Sequence, residues 1–231
     1  MKKLLVLTVM MMMLLTTAAF GLSVVGSKHD LRITGGGTPT AGISEVCVVC
    51  HTPHQASTSA GQTPLWNKGL SGQATYSVYS SPTLNAVPTE LGGATLGTAQ
   101  VSNLCLSCHD GTVSVLSMAN LPNSGGTNTA TTVAGHILAS GQIDPASTAN
   151  IGTSLTNDHP INFTYDATLA TADGGLTTPS SLAYVDAGKK VPLFAGTVQC
   201  ASCHDVHDNV NPPFLVMANT ASALCTTCHV K

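Results

Sequence analysis

Aromatic side chains make up only 4% of this 231-residue chain, with one Trp, four Tyr and four Phe. Charged residues are also scarce at 8%, eight basic against eleven acidic. The first shortage leaves little material for an ordinary side-chain core. The second leaves no basic face for phosphates, which excludes nucleic acid as a partner. Beyond residue 21 no apolar run approaches the about 20 residues that a membrane-spanning helix needs. No cysteine stands alone, and methionine beyond residue 21 is limited to Met118 and Met217. What is abundant is small and flexible: 22 Gly and 12 Pro, in long stretches of Thr, Ser and Ala. Such a chain needs something other than its own side chains at its centre.

The first 21 residues form a separate unit. Lys2 and Lys3 precede an apolar run from Leu4 to Phe20, closed by the small residues Ala18, Ala19 and Gly21. Basic, apolar and small in that order is an export signal, with cleavage expected after Ala19 or Gly21. A membrane anchor would need a longer run, and a lipid-anchored start would need a cysteine here, whereas the first is Cys47. Residues 22–231 are then the mature domain, without a membrane span. It is expected outside the cell or at its surface, with the periplasm as the alternative.

The eight cysteines fall into four units: Cys47-Val-Val-Cys50-His51, Cys105-Leu-Ser-Cys108-His109, Cys200-Ala-Ser-Cys203-His204 and Cys225-Thr-Thr-Cys228-His229. A CxxC pair also occurs in zinc ribbons, and the separation of Cys200 from Cys228 is near that pattern. It occurs in redox disulfides as well. Neither requires a histidine directly after the second cysteine, and all four units have one. C-x-x-C-H is the attachment site of haem c. Two thiols three positions apart add to the two vinyl groups on one porphyrin edge, and the next residue ligates the iron. The expected cofactors are four haem c, with His51, His109, His204 and His229 as proximal ligands.

Five histidines remain for the opposite faces: His29, His54, His136, His159 and His207. Two methionines cannot complete four irons, whereas five histidines can, so low-potential His/His haems are expected. His54 and His207 each follow a proximal histidine by three residues. Three extended residues span only roughly 10 Å, too little to reach round to the far side of the same ring. Each must therefore serve a different haem. His159 precedes Pro160, which biases it to extended backbone, and Asp158 or a backbone carbonyl is placed to fix its tautomer. His29 is favoured as the fourth distal ligand, with His136 in reserve.

The chain has a loose internal repeat. Each half holds a CxxCHxxH unit followed by a Leu-Cys-x-x-Cys-His unit, the first over residues 22–119 and the second over 200–231. A Thr/Ser/Gly-rich insert, 120–199, separates them. Helical periodicity is slight. The expected fold is mostly coil with short helices and few short strands. Helical turns are expected after the haem motifs and strands near Ala74–Val78 and Ile161–Tyr165, with a chain of stacked haems as the organising core. Trp66, Tyr76 and Tyr79 read as packing residues rather than electron relays.

The phrases Cys-Val-Val-Cys-His-Thr-Pro-His, Pro64-Leu65-Trp66-Asn67, Cys-Leu-Ser-Cys-His-Asp-Gly-Thr, Asn-Asp-His-Pro, Leu193-Phe194-Ala195-Gly196 and Cys-Ala-Ser-Cys-His-Asp-Val-His resemble those of the doubled-CxxCH multihaem cytochromes. Within that group the chain is most similar, from about Ser27 to Lys231, to the OmcE-type tetrahaem cytochromes of metal-reducing bacteria. The resemblance implies bis-histidine haems in a continuous stack and a head-to-tail homopolymer forming an extracellular conducting filament. It also implies a haem ligand lent by the neighbouring subunit. With His229 near one end of the chain and His29 near the other, His29 is the residue expected on a mobile arm to make that loan. Redox-partner cytochromes or an external electron acceptor complete the implied partners. The alternatives are a discrete secreted or periplasmic tetrahaem carrier and an oxidoreductase acting on a small nitrogen or sulfur compound. The last needs an iron with an open position, and five spare histidines for four haems argue against it, so no catalytic residue is expected.

Overall fold

Regular structure is sparse. The computed structural model of the chain describes residues 24–34, 38–39, 43–56, 65–93, 101–122 and 136–230. The expected export signal and Pro64 lie outside them. Most described residues are in coil, as the Gly, Pro, Ser and Thr content dictates.

Six strands of two residues each pair into three minimal ladders. β1 (Ile33–Thr34) runs antiparallel to β2 (Thr38–Pro39), and β5 (Phe163–Thr164) antiparallel to β6 (Thr197–Val198). β3 (Ser77–Val78) runs parallel to β4 (Ser154–Leu155). β3 and β5 fall inside the two windows expected for strands, but both windows are cut short. Asn162 has φ +56°, a left-handed conformation that a strand cannot continue through. Tyr76 reaches only a single bridge to Leu91. The next residue, Gly92, has φ +115°, and a Cβ there would lie 2.8 Å from the Ala74 carbonyl oxygen. Only glycine fits that turn.

Four short helices appear: α1 (Ser102–His109), α2 (Ala167–Asp173), α3 (Cys200–Cys203) and α4 (Ala223–Cys228), with a 3₁₀ turn at Thr220–Ser222 before the last. Helical turns were expected after the haem motifs. They lie on the motifs instead, because closing one turn is what brings the two thiols of a CxxC onto one side. Among the described helices, α2 alone carries no motif. The Asp166 side chain accepts from Leu169 N–H at 2.8 Å to cap its start, and Gly174 at φ 68° ends it.

The apolar residues form three small clusters rather than one core. The first gathers Ile43, Val49, Val115, Leu116, Met118 and Ile143, with Cys108 against it. The second gathers Tyr76, Leu91, Leu106 and Leu155. The third gathers Phe163, Tyr165, Leu169, Val185, Val191, Leu193 and Val198, with Cys228 against it. Residues of the 120–199 segment enter all three, so this Thr/Ser/Gly-rich stretch carries packing that its composition does not announce. Among the described residues no helix is long and apolar enough to cross a membrane.

Candidate functional site

Each CxxCH unit is built around one backbone hydrogen bond. His51, His204 and His229 donate their N–H to the carbonyl of the first cysteine of their own motif, at 2.8, 3.1 and 2.9 Å. The second motif lies wholly within α1. The i to i−4 closure sets both thiols on one side and leaves the histidine at the exit of the turn. None of the eight cysteines is in a disulfide. Among the described residues no three His, Cys, Asp or Glu side chains converge as a metal-ion cluster, so the zinc-ribbon arrangement of Cys200, Cys203, Cys225 and Cys228 is not formed.

Three of the four motif histidines face a second imidazole. His29 and His109 have ring centroids 6.1 Å apart at an interplanar angle of 89°. His51 and His207 are 6.1 Å apart at 19°. His159 and His229 are 6.3 Å apart at 73°. A metal–imidazole bond is about 2.0–2.1 Å, so two histidines on opposite sides of one metal place their centroids about 6.3 Å apart. Contact between the rings themselves is not needed to explain that spacing, whereas a metal between them is sufficient. In every pair the second ring comes from outside the motif of the first: from the N-terminal segment, from the third motif and from the insert.

Hydrogen bonds from Nδ1 orient several of these rings. His109 Nδ1 lies 2.7 Å from the Ala149 carbonyl, His159 Nδ1 2.8 Å from that of Pro160, and His204 Nδ1 3.0 Å from that of Pro213. A nitrogen bonded to a carbonyl carries the proton, which leaves Nε2 as the ligating nitrogen. Pro160 itself supplies the tautomer-fixing carbonyl that His159 requires. His207 Nδ1 stands 3.6 Å from Asp205 Oδ1.

His29 does not sit on a free arm. Its ring packs on Phe214 at 4.4 Å, and its Nδ1 is buried without a hydrogen-bond partner among the described residues. Burial, with the neighbouring imidazoles of His109, His204 and His207 adding to it, pulls its pKa down to about 4. The neutral ring is the form that binds metal. The adjacent Asp30 fixes the segment by accepting from Gly26 N–H at 2.8 Å and from Arg32 Nε and Nη2 at 2.9 and 2.8 Å. Those Arg32 bonds hold the Asp30 carboxyl below its ordinary range. Within one chain the His29 ring therefore has a seat, packed on Phe214 and facing His109. His204 has no imidazole at a comparable distance among the described residues. His54 and His136 are exposed and enter none of these ring pairs.

The thiols follow one another in chain order. Burial pushes Cys50 up to about 11, with Cys108 of the next motif contributing. The proximity of Cys105 and Cys200 holds the Cys105 thiol up and draws Cys200 down to about 7. Burial raises Cys203, with Cys225 of the fourth motif contributing, and raises Cys228 to about 11, with Cys203 contributing. First, second, third and fourth motifs are thus each within electrostatic reach of the next.

Residues 192–231 match the family described as the doubled CXXCH motif. The match supports a multihaem c-type cytochrome-like protein. No curated protein matches the chain. The CXXCH units indicate covalently bound haem c, and the local geometry fits that group: paired thiols on one side of each turn, imidazoles spaced for a metal between them, and an orphaned buried nitrogen on His29.

Several residues that shape the site had no sequence signal. Gln199 meets Ser102 across 97 positions. Lys68 is 2% exposed and donates to the Val115 carbonyl beside the first motif. Asp110 had a partial signal in the His-Asp-Gly-Thr phrase, because Asp110 Oδ1 accepts from Thr112 N–H at 2.8 Å over Gly111 at φ 74°.

Proposed function

We propose that the chain holds four haem c groups, one at each CxxCH motif, and passes electrons along them as a subunit of an extracellular filament of the OmcE type. The observation that carries the haem reading is the set of three imidazole pairs at 6.1, 6.1 and 6.3 Å. Haem c supplies, when bound, an iron that takes up and returns one electron. Paired cysteines would attach it, the facing imidazoles of His109 and His29, His51 and His207, and His229 and His159 would hold the iron, and backbone carbonyls would fix the tautomers of His109 and His159. The filament assignment is supported by the shared motif phrases and by His204, whose partner is left to an exposed histidine, His54 or His136, of the same or a neighbouring copy. A discrete carrier with the same haems is the alternative, and the facing pair of His29 and His109 is compatible with both.

Intact mass and haem staining of the exported protein are expected to show four covalent haems, with low-spin ferric signals throughout. A haem-free chain, or one that binds zinc at the cysteines, overturns the reading. Electron microscopy of the same material separates filament from carrier.

The seat of His29 offers a second check. Asp30→Ala removes the acceptor for Gly26 and Arg32 together. It is expected to leave every haem attached while a high-spin fraction appears. An unchanged low-spin spectrum would show that the seat does not depend on Asp30.

A further inference from the structure

Gln199 is fully buried, directly before the third motif. Its amide is engaged at both ends. Oε1 accepts from Ser102 Oγ at 2.6 Å and from Ser102 N–H at 3.3 Å. Nε2 donates to Asn162 Oδ1 and to Thr197 Oγ1, both at 2.9 Å. Ser102 Oγ also accepts from Cys200 N–H at 3.0 Å. Ser102, which is itself 0% exposed, opens α1 one helical turn before Cys105 and on the same side. Cys200 opens α3.

The contact between these helices is therefore polar at its centre, in a place where an apolar pair would pack at least as favourably. A buried amide that satisfies all of its partners fixes one register, because any slip leaves a buried donor or acceptor unpaired. The register it fixes brings Cys200, whose N–H is bonded to Ser102 Oγ, beside the turn that carries Cys105.

We propose that Gln199, together with Ser102, is a positioning residue that holds the Cys105 and Cys200 attachment turns side by side, so that the second and third haems form a directly coupled pair. This rests on the haem reading. It goes beyond that reading in naming which two attachment sites meet and which residues outside the motifs hold them there. Neither Gln199 nor Ser102 touches an iron or carries a charge, so neither alters ligation directly.

Neighbouring porphyrins held at a fixed mutual angle give a split Soret band in circular dichroism. In the holoprotein, Ser102→Ala and Gln199→Ala are expected to retain four attached, low-spin haems and to lose the larger part of that splitting. Ser102→Thr, which keeps the hydroxyl, is expected to restore it. Ser102→Ala deletes one oxygen and decides the matter if Gln199→Ala does not accumulate. An unchanged splitting in Ser102→Ala, with all haems attached and low-spin, overturns the proposal and leaves the haem reading intact. A wild-type protein without covalent haem by mass and stain fails at the earlier step.

Discussion

Replacing His29 with alanine is expected to leave four haems attached and to convert one of them, that of His109, from six-coordinate low-spin to five-coordinate high-spin. Attachment depends on Cys105 and Cys108, which the substitution does not touch. The sixth ligand depends on a ring 6.1 Å from that of His109. Phe214, which packs on His29, has no donor atom to take its place. His207→Ala and His159→Ala are expected to act in the same way on the irons of His51 and His229. Each opened iron gains a high-spin ferric signal and a higher reduction potential, because an electron-donating ligand to the ferric state is lost. The effect on His29 is expected in isolated monomers as well as in any assembly. A high-spin signal that appears only on depolymerisation would instead make His29 a donor to the neighbouring copy. Low-spin spectra from all three variants would sink the pairing.

The second large effect concerns stability. Asp110 is 4% exposed and sits next to His109 at the end of α1. Its carboxylate accepts from Ser71 Oγ and Tyr76 Oη, both at 2.5 Å, and from Thr112 N–H at 2.8 Å and Thr112 Oγ1 at 2.8 Å. Burial and this carboxylate together push the Tyr76 phenol well above its ordinary range, so it remains a donor. Asp110→Ala leaves three hydroxyls and an amide without their acceptor and is expected to cost about 2–3 kcal/mol, at the upper end for orphaned buried donors. Tyr76→Phe, which removes one donor and keeps the ring against Leu91 and Leu106, is expected to cost about 1–2 kcal/mol. Guanidinium unfolding followed in the Soret band, with the haems covalently retained throughout, reads both. A loss below 1 kcal/mol for Asp110→Ala would mean that the network is solvated rather than closed.

The sequence was most legible where chemistry forces adjacency. A CxxCH unit is five consecutive residues, and its helical turn follows from the need to present two thiols together. His207 was readable as serving another motif from reach alone, and its ring faces His51. The strand windows were legible as places but not as partners. β3 pairs with a strand of the insert, and no local pattern in Ser77–Val78 points to Ser154–Leu155. The seat of His29 was illegible because its walls are Phe214 and His109, far away in the chain, and because an Asp30–Arg32 pair in a small polar segment looks like ordinary surface. The insert misled for a related reason. Ile143, Leu155, Phe163 and Leu193 follow neither a two-residue nor a 3.6-residue period, since each fills a gap in a different cluster.

The pairing of His51 with His207 has a consequence in time. A chain that emerges N-terminus first presents Cys47, Cys50 and His51 long before His207 exists. On the proposed ligation, a haem held at the first motif would keep one face open until the third motif has arrived and folded back upon it. His159, by contrast, is already present when His229 emerges. The motif made first would thus be among the last to be closed on both faces.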